Sequence, residues 1–310
     1  MPPIPKPTSS TVAAIYRAYE ATNEHYDSLG ISVGVAATEC DRSLWYIFRW
    51  CSKPEEVTGQ KISIFRTGDM WESRLVADLE AIGCEVTGQQ DRIRLVSGHV
   101  RGKADGRAIG VPEAPCTEHL CEFKSSNSKN FKLIVKDKCK KAKPLHYAQC
   151  QLGMHAFGLT RALYLVVDKD TDERYAERIE YDVEYCVRLL TRLERIINSD
   201  EPPSRVCTKR DDFRGMFCRQ AAVCWGEEWP RVTCRSCLHS SPELGGDAHW
   251  SCSRWAKPIG IEEQKASCPA HLHIPALVPG EQLDVDEELE QVTYRLHATG
   301  EIYIDGATNA

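Results

Sequence analysis

The stretch RIRLVSGHVRGKADGRAIGVPEAPCTEHLCEFK, residues 92–124, decides the fold of this chain. Polar and apolar residues alternate over 92–110 and are punctuated by glycines, which predicts a pair of strands. TEHLCEFK, residues 117–124, predicts another strand, and VPEAP predicts the hairpin loop between them. Since residues i and i+2 of a strand point to the same face, Glu122 and Lys124 are expected to project together.

Apolar residues recur at helical spacing before and after these strands. The spacing predicts helices at 11–26, 40–50, 64–82, 144–159 and 183–198, and further strands at 162–168 and 174–182. Helices and strands in this order predict an α/β fold with a mixed central sheet flanked by helices.

The composition is that of a soluble globular protein. Hydrophobic residues make up 42% and charged residues 27% of the 310 residues, and no apolar run is long enough to cross a membrane. The first residues, MPPIPKPTSS, lack a charged segment followed by an apolar one, so we predict a cytoplasmic protein without a secretory signal. The 15 cysteines therefore indicate free thiols or bound metal rather than disulfides.

Charge is distributed unevenly along the chain. The net charge is −6, but residues 281–310 carry eight acidic residues and one arginine, a net of −7, which leaves about +1 for the rest. Within that rest, residues 129–143 hold seven lysines and one aspartate. These lysines form either a solvated face or a surface that binds nucleic acid.

Carboxylates and one lysine lie near the predicted strands. Asp105 stands in GKADG, where the glycines permit a tight bend, and Glu72 stands inside the predicted helix GDMWESRL. With Glu122 and Lys124 they make a set of oxygen donors that suits Mg²⁺ or Mn²⁺, which can activate a water for attack on a phosphodiester. The lysine can position that water and neutralise developing charge. Alternating acids and lysines also occur on ordinary exposed strands, so this pattern alone leaves both interpretations open.

Four motifs taken together resemble a known nuclease superfamily. In chain order they are Gly68-x3-Glu72, Gly102-Lys-Ala-Asp105-Gly106, Glu122-Phe-Lys124-Ser and His146-Tyr-Ala-Gln149. This order resembles the PD-(D/E)XK nucleases, and within them the RecB-like branch, which includes CRISPR-associated RecB-like exonucleases and exonucleases of phages and prophages. The segment Cys40-Asp-Arg42 also resembles the N-terminal segment of that branch, and the match covers about residues 25–185. The resemblance implies a restriction-endonuclease-like core.

The resemblance also implies a role for each matched residue. Asp105 and Glu122 would be ligands of Mg²⁺ or Mn²⁺, and Lys124 would be the catalytic lysine. Glu72 would support the metal or its water, and Gln149 would line the site. The implied activity is a metal-dependent exonuclease that hydrolyses linear DNA in phage or prophage recombination or repair, beside a single-strand annealing protein.

One residue departs from the pattern of the family. The helix motif carries a tyrosine four residues after its glutamine, and here Gly153 follows Gln149 at that spacing. An alternative function is therefore a zinc-containing protein that binds nucleic acid through an inactive nuclease core. In a third interpretation, the protein is structural and zinc only holds a scaffold.

The same resemblance implies a role for the lysine-rich stretch, residues 129–143. It follows the strand of Glu122 and precedes the helix of Gln149, so a loop there is expected to grip the phosphates of DNA. The lysines concerned are Lys129, Lys132, Lys136, Lys138, Lys140, Lys141 and Lys143.

Cysteines of the C-terminal part are spaced as zinc ligands. The spacing is Cys234-x2-Cys237-x14-Cys252-x15-Cys268, in which a knuckle of two thiols is completed by two more distant ones. His271 is an alternative fourth ligand. Zinc would stabilise a segment too small to build its own core. The other interpretation is a set of reduced, packed cysteines.

A second set of cysteines is less regular. Cys40, Cys207, Cys218 and Cys224 number four, and the resemblance implies that one N-terminal and three C-terminal cysteines hold a [4Fe–4S] cluster. Their spacing lacks the usual close pair, since Ala221 stands where a partner of Cys218 would be. A second zinc and no metal at all remain alternatives.

Changes of composition divide the chain into segments. We predict a RecB-like nuclease core at 1–200, a Cys-rich metal-binding module at 201–280 and an acidic C-terminal tail at 281–310. Within the tail, 292–296 and 301–304 are predicted as short strands.

Overall fold

The computed structural model describes residues 9–23, 28–54 and 56–306. The helices are α1 (Ser10–Ala21), α2 (Asp41–Phe48), α3 (Gly59–Ala81), α4 (Ser128–Ala142), α5 (Pro144–Phe157), α6 (Val183–Ile197), α7 (Ala221–Cys224) and α8 (Ile261–Ala266). The strands are β1 (Ile31–Ser32), β2 (Glu85–Thr87), β3 (Arg92–Leu95), β4 (Val100–Lys103), β5 (Gly106–Ile109), β6 (His119–Ser126), β7 (Arg161–Asp168), β8 (Arg174–Glu180), β9 (Ser240–Pro242), β10 (Trp250–Cys252), β11 (Lys257–Pro258), β12 (Gly280–Asp286), β13 (Gln291–Leu296) and β14 (Ile302–Asp305). The predicted end of the first helix, 24–26, and the last four residues of the acidic tail lie outside the described ranges.

A five-stranded mixed sheet forms the centre of the fold, as predicted. Its strand order is β2-β5-β6-β7-β8, with β6 and β7 parallel and the other pairs antiparallel. The predicted hairpin loop VPEAP connects β5 to β6. Because β6 and β7 run parallel, α4 and α5 form the crossover between them.

Side chains of β6 alternate between two hydrophobic layers. Cys121 and Phe123 pack with Leu75 and Leu79 of α3, whereas Leu120 packs with residues of α4 and α5 on the other face. The sheet is therefore covered by α3 on one face and by α4 and α5 on the other, as an α/β core requires.

The predicted strand pair at 92–110 is divided between two sheets. β3 and β4 form an antiparallel hairpin that joins β1 in a separate sheet of order β1-β4-β3. β5 belongs instead to the central sheet, where it pairs with both β2 and β6. The chain crosses from one sheet to the other at Ala104–Asp105, which brings Asp105 to the edge of the central sheet.

The predicted loop over the lysine-rich stretch is wrong, because residues 128–142 form α4. The Asn127 side chain caps this helix by accepting a hydrogen bond from the Asn130 backbone amide at 2.9 Å. Phe131 and Ile134 are buried on one face. Lysine also has a good helix propensity, so exposed lysines and a short apolar face are sufficient for a helix.

The C-terminal cysteine segment shares a hydrophobic cluster with the central part of the chain. Trp250 packs in the same cluster as Trp45 and Phe48 of α2. The guanidinium of Arg235 is fully buried and lies 3.8 Å from the ring centroid of Trp50 and 4.7 Å from that of Trp250. One hydrophobic cluster therefore contains residues from both sides of the predicted boundary near residue 200, and the division into domains stays a prediction.

The acidic C-terminal segment folds as an antiparallel sheet of order β12-β13-β14. The strands predicted at 292–296 and 301–304 are confirmed to within one residue as β13 and β14. Leu283 and Val285 alternate with polar residues in β12, but its acidic composition favours a solvated tail, and sequence analysis therefore missed this strand. In the described part of the chain, no helix combines the length and the apolarity that crossing a bilayer would need.

Candidate functional site

Asp105 lies where the chain passes from β4 to β5. Its Oδ2 accepts a hydrogen bond from the Phe123 backbone amide at 2.7 Å. That amide lies beyond the end of β5, where β6 has lost its ladder partner on this side. The carboxylate of Asp105 therefore completes the pairing of β6 and is held 3.8 Å from the Nζ atom of Lys124.

Glu122 and Lys124 project to the same face of β6, as predicted. The Lys124 ammonium contacts Oε1 of Glu122 and donates a hydrogen bond to the Phe123 carbonyl at 3.0 Å. Glu122 is only 3% exposed, and this burial raises its pKa to about 7. Burial alone would lower the pKa of Lys124, but the carboxylates of Glu122 and Asp105 outweigh it and raise that pKa.

Glu72 faces the same group from α3. Its Oε1 accepts a hydrogen bond from the Gln90 side chain at 2.9 Å, and burial together with Asp105 raises its pKa. Gln90 has a positive φ of 64°, and sequence analysis gave no signal for its contact. Among the described residues, the one set of three metal-ligand side chains within 4.8 Å of one another lies elsewhere. The carboxylates of Glu72, Asp105 and Glu122 therefore do not all lie within 4.8 Å of one another.

A polar cavity of about 330 Å³ adjoins Lys124. Its lining includes Asn127, Asn130, Lys143, His146 and Lys169. Sequence analysis missed Lys169, which follows β7 and reaches the cavity because β7 runs parallel to β6. The cavity thus combines hydrogen-bond donors and positive charge beside the carboxylates.

The helix α5 places His146 and Cys150 toward the acidic group. The Nδ1 atom of His146 lies 2.7 Å from the Tyr164 hydroxyl, and burial lowers the pKa of His146 to about 4. The side chain of Gln149 points toward the N-terminal segment, where a Cβ on Gly34 would lie 3.8 Å from its Oε1. A role for Gln149 in the acidic site stays a prediction.

Gly153 has a packing reason to be a glycine. A Cβ at this position would lie 2.5 Å from Cδ2 of Leu120, which is buried on β6. The absence of a side chain lets α5 approach the central sheet closely. A side chain at this position would require Leu120 or α5 to move, so a glycine suits the packing of α5 on β6.

Gly153→Ala is expected to destabilise the protein. Overpacking a core costs about 1–3 kcal/mol, which exceeds the gain of about 0.5–1 kcal/mol from replacing a helical glycine. Urea denaturation of both proteins measures the difference. Gly68→Ala on α3 is the matched control, because nothing lies within 4 Å of its Cβ position and it should be neutral or stabilising. An unchanged midpoint for Gly153→Ala would contradict the close packing.

The lysines of α4 lie on an exposed surface. Those exposed to solvent are Lys129, Lys132, Lys136, Lys138, Lys140 and Lys141, and Lys143 is half-buried. Lys140 pairs with Asp182 at 3.2 Å, and Lys141 pairs with Asp137 at 2.8 Å. Lys143 donates to the Asn130 side chain inside the cavity beside Lys124.

Cys234, Cys237, Cys252 and Cys268 line one cavity of about 110 Å³. Burial, followed by the other three thiols, raises the pKa of Cys234 to about 11. The four thiols therefore interact electrostatically across one cavity, but no three of them bring their sulfur atoms within 4.8 Å of one another in the described part of the chain. His271, the alternative fourth ligand, is not among the residues that line this cavity.

The cysteines of the second set, Cys40, Cys207, Cys218 and Cys224, have different neighbours. Burial and Asp212 raise the pKa of Cys207, and the nearby thiols of Cys40 and Cys218 also raise it. The Cys224 thiol instead accepts a hydrogen bond from the Arg205 guanidinium at 3.4 Å. All 15 cysteines are free thiols in this structure.

Comparison with known proteins gives similarity at the level of structure. No family model matches the chain, and no curated protein matches it. The crystal structure of LHK-Exo, an alkaline exonuclease from Laribacter hongkongensis, is similar over 59% of this chain and 90% of its own, with 16% identity and a TM-score of 0.40. LHK-Exo in complex with dAMP is similar over 57% and 88%, with 16% identity and a TM-score of 0.39. The crystal structure of SSO0001 is similar over 71% and 98%, with 15% identity and a TM-score of 0.41.

Proposed function

We propose that the protein is a divalent-metal-dependent deoxyribonuclease that degrades linear DNA from its ends. One observation carries the proposal: the ammonium of Lys124 is shared between the carboxylates of Glu122 and Asp105 beside a polar, lysine-lined cavity. The resemblance of the sequence motifs to RecB-like exonucleases agrees with this chemistry. It also suggests the cellular setting, which is phage or prophage recombination or repair in the cytoplasm beside a single-strand annealing protein.

Asp105 and Glu122 suit a hard divalent cation. Both offer carboxylate oxygens, and Mg²⁺ or Mn²⁺ is commonly held by one or two carboxylates together with water. Burial of Glu122 makes its charge costly, and a bound cation would offset that cost. The ion would supply Lewis-acid activation of water and neutralisation of phosphate charge.

Other residues of the chain would orient the reacting groups. The hydrogen bond from the Phe123 amide fixes the carboxylate of Asp105. Lys124, which stays protonated at neutral pH, would stabilise negative charge that develops on the phosphodiester. Glu72, oriented by Gln90, would accept a hydrogen bond from the attacking water. Lys143 and Lys169 would hold a neighbouring phosphate in the cavity.

The lysine surface of α4 is proposed to hold the DNA backbone. If Lys132 and Lys136 each contact a phosphate, changing both to glutamine should weaken binding and reduce the salt dependence of log K by about 1–2. Electrophoretic titrations at several salt concentrations measure this slope. The matched control changes Lys209 and Lys265 to glutamine, because both lysines are exposed in the C-terminal segment. Equal slopes for both double variants would show that α4 is an ordinary solvated face.

We also propose that Cys234, Cys237, Cys252 and Cys268 hold a structural zinc ion. The support is their shared cavity together with a spacing that suits tetrahedral thiolate coordination. For Cys40, Cys207, Cys218 and Cys224, a [4Fe–4S] cluster or a second zinc is the corresponding proposal. A visible absorption spectrum of protein purified without oxygen distinguishes them, since a colourless sample excludes the cluster.

The proposed activity is tested by digestion of end-labelled linear DNA beside a closed circle of the same sequence. Loss of the linear DNA alone, dependent on Mg²⁺ or Mn²⁺ and blocked by EDTA, is the expected result. Loss of both forms would make the protein an endonuclease with the same site chemistry. Binding without cleavage of either form would favour the inactive, zinc-containing nucleic-acid-binding protein.

A further inference from the structure

Three buried side chains with metal-binding atoms meet outside the acidic site. They are His271, His273 and Asp305, which are 8%, 5% and 4% exposed. One ligand atom from each lies within 4.8 Å of the other two. The histidines follow Cys268 in the cysteine segment, whereas Asp305 ends β14 of the C-terminal sheet. The group therefore lies at the joint between these two parts.

Asp305 holds His273 in a fixed orientation. Its Oδ2 accepts a hydrogen bond from the His273 backbone amide at 2.6 Å, and its Oδ1 lies 3.2 Å from Nδ1 of His273. The Tyr303 hydroxyl donates to the same Oδ1 at 3.2 Å. Ligand atoms that each lie about 2 Å from one tetrahedral zinc ion are roughly 3 Å apart, so Oδ1 of Asp305 and Nδ1 of His273 have the spacing of two ligands of one ion.

The opposite nitrogen of His273 lacks a partner. Its Nε2 is buried and makes no hydrogen bond within the described part of the chain. The ring of His271 packs against that of His273 edge to face, with 4.6 Å between the centroids. Nδ1 is therefore the atom of His273 that could share an ion with Asp305, and the close packing of the rings brings His271 to the same place.

A catalytic relay does not explain the group. The Oγ atom of Ser236 lies 3.4 Å from Nε2 of His271, so the order serine, histidine, histidine, aspartate superficially suggests a nucleophile with its base. Ser236 is, however, completely buried, and its hydroxyl donates to the Arg231 carbonyl. No substrate can reach it, which leaves a structural role for the group.

We propose that His271, His273 and Asp305 bind a divalent transition-metal ion, with zinc as the ion that best suits two imidazoles and a carboxylate. Such an ion would join the C-terminal sheet to the cysteine segment. The site is separate from the cavity of Cys234, because none of its three ligands lines that cavity. Zinc bound here would therefore add to any zinc that the cysteines hold.

Zinc content of the full-length chain tests the site. Protein is freed of loosely bound zinc by exchange into excess Mg²⁺ and measured by mass spectrometry of the metal. His273→Gln and Asp305→Asn should each contain about one zinc per chain less than the wild type. His297→Gln, which changes an exposed histidine just beyond β13, is the control and should retain the wild-type content. Equal zinc in all four proteins would overturn the proposal.

A second measurement uses only the wild-type chain, in case the variants do not fold. Crystals measured at the zinc absorption edge should give an anomalous peak between the imidazoles of His271 and His273. A map with no peak there, whatever the cysteine cavity contains, would overturn the proposal. Neither readout involves DNA cleavage, so the result is independent of the proposed nuclease activity.

Discussion

Lys124→Ala should lower the rate of DNA cleavage by about a hundred- to a thousandfold, the usual effect of removing one group that stabilises transition-state charge. The ammonium of Lys124 contacts both Glu122 and Asp105, and in the proposed mechanism it stabilises the charge that develops on the phosphate. DNA affinity should change little, because the exposed lysines of α4 remain. Single-turnover cleavage and a gel-shift titration with Ca²⁺ in place of Mg²⁺ separate the two effects.

The control for this variant is Lys209→Ala, which removes an exposed lysine of the C-terminal segment. It should cleave DNA at the wild-type rate. Removal of the Lys124 ammonium leaves the buried Glu122 without its cation. Circular dichroism must therefore show that the Lys124→Ala protein is folded. Undiminished cleavage by a folded Lys124→Ala protein would contradict the role of Lys124.

Asp105→Asn should strongly weaken metal binding at the acidic site. The amide keeps an oxygen that can accept the Phe123 hydrogen bond, so the edge of β6 is preserved while a negative charge is lost. A metal ion supplies several kcal/mol of transition-state stabilisation, so its loss should slow cleavage at least about a thousandfold. Calorimetric titration with Mn²⁺ measures the affinity directly.

Asp284→Asn is the matched control, because Asp284 is exposed on β12 and its variant should bind Mn²⁺ as the wild type does. High Mn²⁺ concentrations should restore part of the activity of Asp105→Asn, since Glu122 remains as a ligand. If Asp105→Asn binds Mn²⁺ with unchanged affinity, Asp105 is not a ligand and the site must be assigned to other residues.

The centre of the fold could be predicted from the sequence because its signals are local. Alternation in β6 identified the common face of Glu122 and Lys124, and the apolar run of β7 with its partner β8 gave the neighbouring strands. The end of α3 followed from the stop at Gly83, which has a positive φ of 92°, whereas its start at Gly59 precedes the predicted residue 64.

Other features could not be predicted because long-range contacts determine them. The Gln90 side chain meets Glu72 only after the chain has crossed between two sheets. Lys169 lines the cavity because β6 and β7 pair in parallel, and no local sequence pattern predicts that pairing. From the sequence alone, Gly153 is a departure from the motif. The structure shows that a Cβ at this position would collide with Leu120. Tertiary contact, not residue type, decides each of these cases.

The central claim is that Asp105, Glu122 and Lys124 form a metal-dependent centre for phosphodiester hydrolysis. Its most direct test is the single-turnover rate at which the wild-type chain degrades a labelled linear duplex as Mg²⁺ or Mn²⁺ is raised from zero. We predict no cleavage in EDTA and a rate that rises with metal concentration to saturation. DNA that is bound but stays intact at every metal concentration, or cleavage that persists in EDTA, would contradict the account.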